Sequence, residues 1–259
     1  MRFCSLGSGS GGNSTLVEAS QGITTTRVLI DAGFSERELS RRLARAGCAP
    51  ADVDAIFITH EHGDHIGCGL AFARRHRIPL ITSRGTWRAV GRDEFDSDLL
   101  HLARDGEAIP LGDMELRPFA VPHDANEPLQ LTLSDGVARL GIVTDLGSAP
   151  ADVAAALNGC RALLLECNHD EGMLRAGPYP PMLKRRILGS HGHLSNAAAA
   201  DLLQRCQHTG LASVVAAHLS ERNNTPALAQ AALVEALGSA ESDIRVAHPS
   251  LGIDWLALN

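Results

Sequence analysis

The segment Thr59-His60-Glu61-His62-Gly63-Asp64-His65 places three imidazoles and two carboxylates within six consecutive residues. Imidazole nitrogen and carboxylate oxygen suit zinc and, with a larger oxygen share, manganese or iron. Alternation along an extended loop sets His60 and His62 on one side, while Asp64 and His65 begin the next turn and can face a second ion. A polar surface loop that happens to be rich in histidine is the plainer alternative. Other positions count against it. Asp31 ends one apolar run, Thr59-His60 ends another, Asp145 follows a third and His218 a fourth. Four candidate ligands at four strand ends are how a sheet edge builds a pocket, and the chemistry of such a set is metal-assisted hydrolysis.

The elements that must position these residues are visible as short apolar runs. Residues 27–30, 55–58, 79–82, 140–143, 162–165 and 213–216 read as buried strands. Helical patterns fall between them at 67–76, 150–158, 195–206 and 226–237, and another starts at Ser35, whose spacing to Glu38 is that of a capping box. Residues 107–143 read as strands joined by turns at Leu111-Gly112-Asp113 and Ser134-Asp135-Gly136, so the sheets are expected to be mixed. At 259 residues without a linker, charge block or repeat, the chain is expected to form one α/β domain over residues 1–259.

Composition narrows the function classes. A net charge of -7, from 23 basic and 30 acidic residues, argues against a broad basic surface, so any grip on phosphates should be local. No apolar stretch approaches the ~20 residues of a membrane helix, and no signal-like start is present. The expectation is a cytoplasmic protein with no membrane partner. The six cysteines are scattered without a CxxC pair and read as reduced core thiols, with Cys68 the one near the metal motif.

The HxHxDH motif of residues 60–65, followed by a histidine, an aspartate and a final histidine, resembles the metallo-β-lactamase superfamily, and the resemblance covers nearly the whole chain. It implies a four-layered αββα sandwich of two mixed β-sheets flanked by helices. It also implies two divalent metal ions, zinc or manganese and possibly iron. By resemblance His60, His62 and His123 hold the first metal, Asp64, His65 and His218 the second, and Asp145 bridges them, while Asp31 orients the ligand loop from behind. Two cations ~3.5 to 4 Å apart under a bridging carboxylate generate hydroxide near neutral pH and neutralise both attacking and leaving oxygens.

Substrate choice rests on other segments. In the loop of residues 5–15, the backbone amides and the side chains of Ser8, Ser10 and Asn13 could line an anion site, or form a flexible hairpin loop. Residues 190–196 lead into an alanine-rich helix, with Ser195 as N-cap and His193 beside it as a proton donor or phosphate clamp. Arg222 and Asn223 follow the last ligand. Asp64 and His193 are the candidate catalytic groups. His169 either reaches the pocket or caps the next helix, and Lys184-Arg185-Arg186 either grips a phosphate or forms a solvated helix face.

The pairing of Gly192-His193-Leu194-Ser195 with His218-Leu219-Ser220 resembles the tail of ribonuclease Z-type phosphodiesterases. Together with Glu166-Cys167-Asn168-His169-Asp170 and Gly177-Pro178-Tyr179-Pro180, it resembles the YycJ (WalJ) group of metallo-hydrolases. That resemblance implies a DNA nuclease, 5′ to 3′ exonuclease-like, associated with DNA repair, with nucleic acid as partner and DNA favoured over RNA. A small phosphodiester or thioester substrate is the rival reading, and a non-catalytic metal-binding regulatory protein is a reading of another class.

Overall fold

The run Ala55–Ile58 is buried on both faces, and its alternate side chains enter different cores. Ala55 and Phe57 point between two sheets, whereas Ile56 and Ile58 pack under helices. Residues 162–165 divide the same way: Ala162 and Leu164 enter the central core, Leu163 and Leu165 the outer one. Burial on both faces is why these strands read as continuous apolar runs rather than alternating ones.

The structure, a computed structural model, describes residues 1–90, 95–238 and 244–258. Strands β1 (Arg2–Gly7), β2 (Ser14–Gln21), β3 (Thr24–Ile30), β4 (Ala55–Ile58), β5 (Leu80–Ser83) and β6 (Leu100–Ala103) lie side by side in one sheet. The second sheet holds β7 (Ile109–Leu111), β8 (Met114–Ala120), β9 (Leu129–Ser134), β10 (Arg139–Val143), β11 (Ala162–Glu166), β12 (Ser213–Ala217) and β13 (Ile244–Val246), also in order. The last strand, β14 (Leu256–Ala257), returns to pair antiparallel with β1. β3 to β6 are mutually parallel, as are β10 to β13, while the β1–β2–β3 and β7–β10 segments are antiparallel. Both sheets are therefore mixed, and helices cover the outer face of each.

Over the first sheet lie α1 (Glu36–Arg45), α2 (Gly63–Ile66), α3 (Gly69–His76) and α4 (Arg84–Val90), with Leu39, Leu43 and Phe72 fully buried beneath them. Fully burying each such side chain stabilises the fold by roughly 1.5–3 kcal/mol. The expected helix over 67–76 begins instead at Gly69, because Gly67 takes φ 37° and ends the short α2 turn. Ser35 caps α1 by accepting from the Glu38 amide, but the Glu38 carboxylate turns outward to Arg41 and Arg42, so the box is half made. On the second sheet α5 (Ala151–Leu157), α8 (Asn196–Cys206) and α9 (Pro226–Leu237) supply the cover, while α6 (Glu171–Ala176) and α7 (Pro181–Ile187) lie at its edge. No helix among the described residues is long and apolar enough to cross a membrane.

Chain direction brings the C-terminal ends of β3, β4, β8, β10, β11 and β12 to one edge of the sandwich. Three residues there turn the chain sharply: Asp31, Asp145 and His218 have φ of 61°, 61° and 53°. A left-handed backbone costs a non-glycine residue on the order of 1 kcal/mol, and such residues concentrate at functional sites.

Candidate metal centre

Each sheet contributes half of the centre. From the first come His60, His62, Asp64 and His65 after β4; from the second come His123 after β8, Asp145 after β10, Glu166 at the end of β11 and His218 after β12. Their donor atoms converge. His60, His62 and His123 can each offer one atom within 4.8 Å of the others, and so can Asp64, His65 and His218. Asp145 adjoins both sets, grouping with His60 and His65 on one side and with His218 on the other.

Hydrogen bonds behind the imidazoles decide which nitrogen faces inward. Asp31 accepts from the Thr59 amide at 2.8 Å and the Thr59 hydroxyl at 3.0 Å, and its other oxygen takes His65 Nδ1 at 2.8 Å. The Thr59 hydroxyl, having donated to Asp31, accepts from His60 Nδ1 at 3.0 Å. His123 Nδ1 donates to the Gly192 carbonyl at 3.0 Å. All three rings thereby present Nε2 to the interior, the arrangement by which outer partners fix tautomer and orientation in metal sites. His60 Nε2 is buried and has no hydrogen-bond partner. A buried lone pair without a donor is costly unless something electrophilic takes it, and a divalent cation fits both this orphan and the nitrogen–oxygen donor set.

The electrostatics agree. Burial pushes the His60 imidazole well below its usual range, reinforced by positive His65, so it is neutral, the form able to take a cation. Burial also pulls on His65 and His218, but the adjacent carboxylates outweigh it and hold both at about 10. Salt-bridge distances across the seam are short: His65 Nε2 to Asp145 at 2.6 Å and His218 Nε2 to Asp64 at 3.3 Å. Those protons occupy the places a cation would take.

Glu166 is the residue missed by sequence reasoning. It is fully buried, its Oε2 accepts from the amides of Leu146 and Leu194, and its Oε1 accepts from His193 Nδ1 at 2.7 Å. The signal was present, since Glu166 ends a buried strand between two strands that are each followed by a candidate ligand. Despite burial, Glu166 and then Asp145 hold His193 protonated up to about 11, and Glu166 itself is held down to about 2.

The remaining sequence candidates separate. His193 and Ser10 line a cleft of about 400 Å³ above the cluster. Ser8 and Asn13 do not; both are buried behind it, Ser8 accepting from the His218 amide at 2.8 Å and Asn13 reaching His65 Nε2 at 3.1 Å and the Asp64 carbonyl at 3.3 Å. Within the loop of residues 5–15, Ser8 and Asn13 thus brace the candidate ligands from behind while Ser10 faces the cleft. Ser195 caps α8 through the Ala198 amide. His169 is buried with both ring nitrogens unpaired and lies outside the cleft lining, while Asp170, not His169, caps α6. Arg222 is exposed and does not line the cleft; Asn223 is buried, donating to Ser220. Cys68 is half-buried at the start of α3, the other five cysteines are buried, and all six are free thiols. Of the basic triplet, only Arg186 reaches the cleft, paired with Asp124, while Lys184 donates to the Arg175 carbonyl.

Comparison with known proteins places this geometry in a lineage. Residues 26–219 match the β-lactamase superfamily domain. The chain is 34% identical to the exodeoxyribonuclease WalJ of Streptococcus pneumoniae over 95% of its own length and 91% of that protein's. It is 33% identical to the exodeoxyribonuclease YycJ of Bacillus anthracis, covering 92% and 89%. The crystal structure of YhfI from Bacillus subtilis, described as a metallo-β-lactamase fold protein, superposes with a TM-score of 0.73 at 14% identity, over 98% of each chain. The chain belongs to the β-lactamase superfamily, as a metal-dependent hydrolase with WalJ and YycJ among its full-length relatives.

Proposed function

We propose that the protein is a dinuclear metal-dependent phosphodiesterase that cleaves DNA from an end, in the 5′ to 3′ direction. The observation that carries the reading is the pair of three-donor sets meeting across Asp145, with the Glu166–His193 pair beside them. In this reading His60, His62 and His123 hold one cation, Asp64, His65 and His218 the other, and Asp145 lies between. Zinc and manganese suit the donors, and iron is compatible with them. Bound divalent cations supply an activated water and neutralise charge on the phosphate oxygens.

The chain's own groups supply the rest. Asp31 and Thr59 hold the ligand imidazoles in one tautomer, so the cluster is ready before substrate arrives. Asp64, half-buried at the cleft floor, faces the substrate side of its set. Protonated His193, at the same floor and oriented by Glu166, gives its proton to the leaving oxygen. Gly192 and Ser10 shape the walls. The two full-length exodeoxyribonuclease relatives support DNA as the polymer.

The test uses purified protein reconstituted with manganese or zinc and oligonucleotides labelled at the 5′ or the 3′ end, as single- and double-stranded DNA and RNA. Stepwise loss from the 5′ end of DNA, abolished in His60→Ala, is the expected result. Absence of cleavage, or equal activity in His60→Ala, overturns the proposal.

A further inference from the structure

The floor of the cleft is metal-ligand chemistry, but its wall is of another kind. Tyr179, Leu183 and Ile187, all half-buried, and Arg186, whose side chain is exposed, line it. The last three are spaced to share one face of α7, and Tyr179, the chain's single tyrosine, stands just ahead of the helix. An aromatic ring and two aliphatic side chains facing a cluster of imidazoles and carboxylates have no use in coordinating metal.

The wall is rigid and its position is locked to the floor. Pro178, Pro180 and Pro181 surround Tyr179 and fix φ on both sides of it. A Cβ on Gly177 would meet Asn223 Oδ1 and the Met173 carbonyl, so the loop leaves α6 packed against the segment after β12. At the other end His193 donates its amide to the Ile187 carbonyl at 3.0 Å, and a Cβ on Gly192 would collide with the carbonyls of Arg186 and Ile187. The residues that hold His123 and His193 therefore also hold α7. A platform so fixed loses little entropy when it binds.

Arg186 is the one Lys or Arg side chain among the lining residues. It is tethered through Nε to Asp124, whose other oxygen lies 3.5 Å from His123 Nε2. Its planar guanidinium keeps further donors, suited to a phosphate. Resting on the phosphodiesterase reading, we infer that α7 is the nucleotide-recognition wall: Tyr179 stacks on the nucleobase next to the scissile bond while Arg186 takes a backbone phosphate. A cleft of about 400 Å³ admits a ligand of nucleotide size, and a base can lie on Tyr179 only after leaving its own stack. The substrate end is consequently single-stranded or frayed when cut.

The test compares a natural single-stranded oligonucleotide with one whose terminal residue is abasic, for wild type, Tyr179→Ala, Tyr179→Phe and Arg186→Gln, by cleavage kinetics and by fluorescence anisotropy of binding. Wild type should lose about tenfold in affinity and KM on the abasic end. Tyr179→Ala should lose the same on the natural end and nothing further on the abasic one, and Tyr179→Phe should behave as wild type. Arg186→Gln should weaken both ends alike. Equal wild-type binding to both oligonucleotides, or a Tyr179→Ala loss that is the same on both, overturns the inference. Anisotropy reads the wall without turnover, so failure of cleavage alone sinks the phosphodiesterase reading and leaves the stacking result standing on its own; if Tyr179→Ala does not fold, the wild-type comparison still decides.

Discussion

Glu166 Oε1 receives His193 Nδ1 at 2.7 Å while Oε2 of the same carboxylate is fixed by two backbone amides, Leu146 and Leu194. A fully buried acid held this way does not rotate. It orients the imidazole and keeps it charged, which is what a proton donor to a leaving oxygen requires.

Replacing His193 by Ala should lower kcat by about 10²–10⁴-fold with metal content unchanged. Glu166→Gln acts through His193. The imidazole, held up to about 11 by the carboxylates, loses its main support, so its proton is lost at lower pH. The alkaline limb of the pH–rate profile should move downward, and an unmoved limb would remove His193 from the role.

Metal loading should expel protons. His65 and His218, held at about 10, are protonated at neutral pH in the metal-free protein and must be stripped to ligate. Affinity should therefore rise as pH rises. Titration calorimetry in buffers of different ionisation enthalpy should give buffer-dependent heats, and identical heats would contradict the assignment.

The same loading should raise the melting temperature by about 10 °C when free metal is near a thousand times Kd. Chelation should reverse it. Scanning calorimetry with and without EDTA measures both directions.

Asp31→Ala removes the acceptor for the Thr59 amide, the Thr59 hydroxyl and His65 at once. Leaving the buried Thr59 amide unsatisfied costs roughly 1–3 kcal/mol, and metal affinity should fall about 10- to 100-fold. Asn tolerates the left-handed backbone of φ 61° and keeps an acceptor, so Asp31→Asn should be milder in denaturant unfolding.

Gly33→Ala should be more damaging than its size suggests. The added Cβ would overlap the Asp64 carbonyl and crowd the Asn13 amide, both backbone, so no rotamer relieves it. Metal content after purification, measured by elemental analysis, should drop with the displaced Asp64 loop.

The seven ligand candidates were legible because their types are rare at strand ends and their neighbours are apolar. Asp145 and His218 stand out after Val143 and Ala217 for that reason. Glu166 carried the same signal, but its carboxylate ends the strand itself, where a single acid reads as a solvated edge. Burial decides, and burial belongs to the packing of β11 between β10 and β12. Side-chain destination was equally hidden. Lys184 and Arg186 flank the face of Leu183 and Ile187 symmetrically, yet Arg186 lines the cleft while Lys184 turns to the Arg175 carbonyl. Arg222 and Asn223 come within five residues of candidate ligand His218, but the chain turns at Ser220 and carries Arg222 into solvent while Asn223 is drawn inward.

Because the candidate ligands come from both sheets, four from the first and three from the second, a bound cation would act as a clasp across the open edge of the sandwich. The metal-free protein keeps the apolar seam between the sheets, and at that edge polar contacts cross between them, among them His65–Asp145, His218–Asp64 and the His218 amide to Ser8. Amide hydrogen exchange around Thr59 and His218 would then report the loading state directly, and the two halves would loosen from the clasp inward before the core between them gives way.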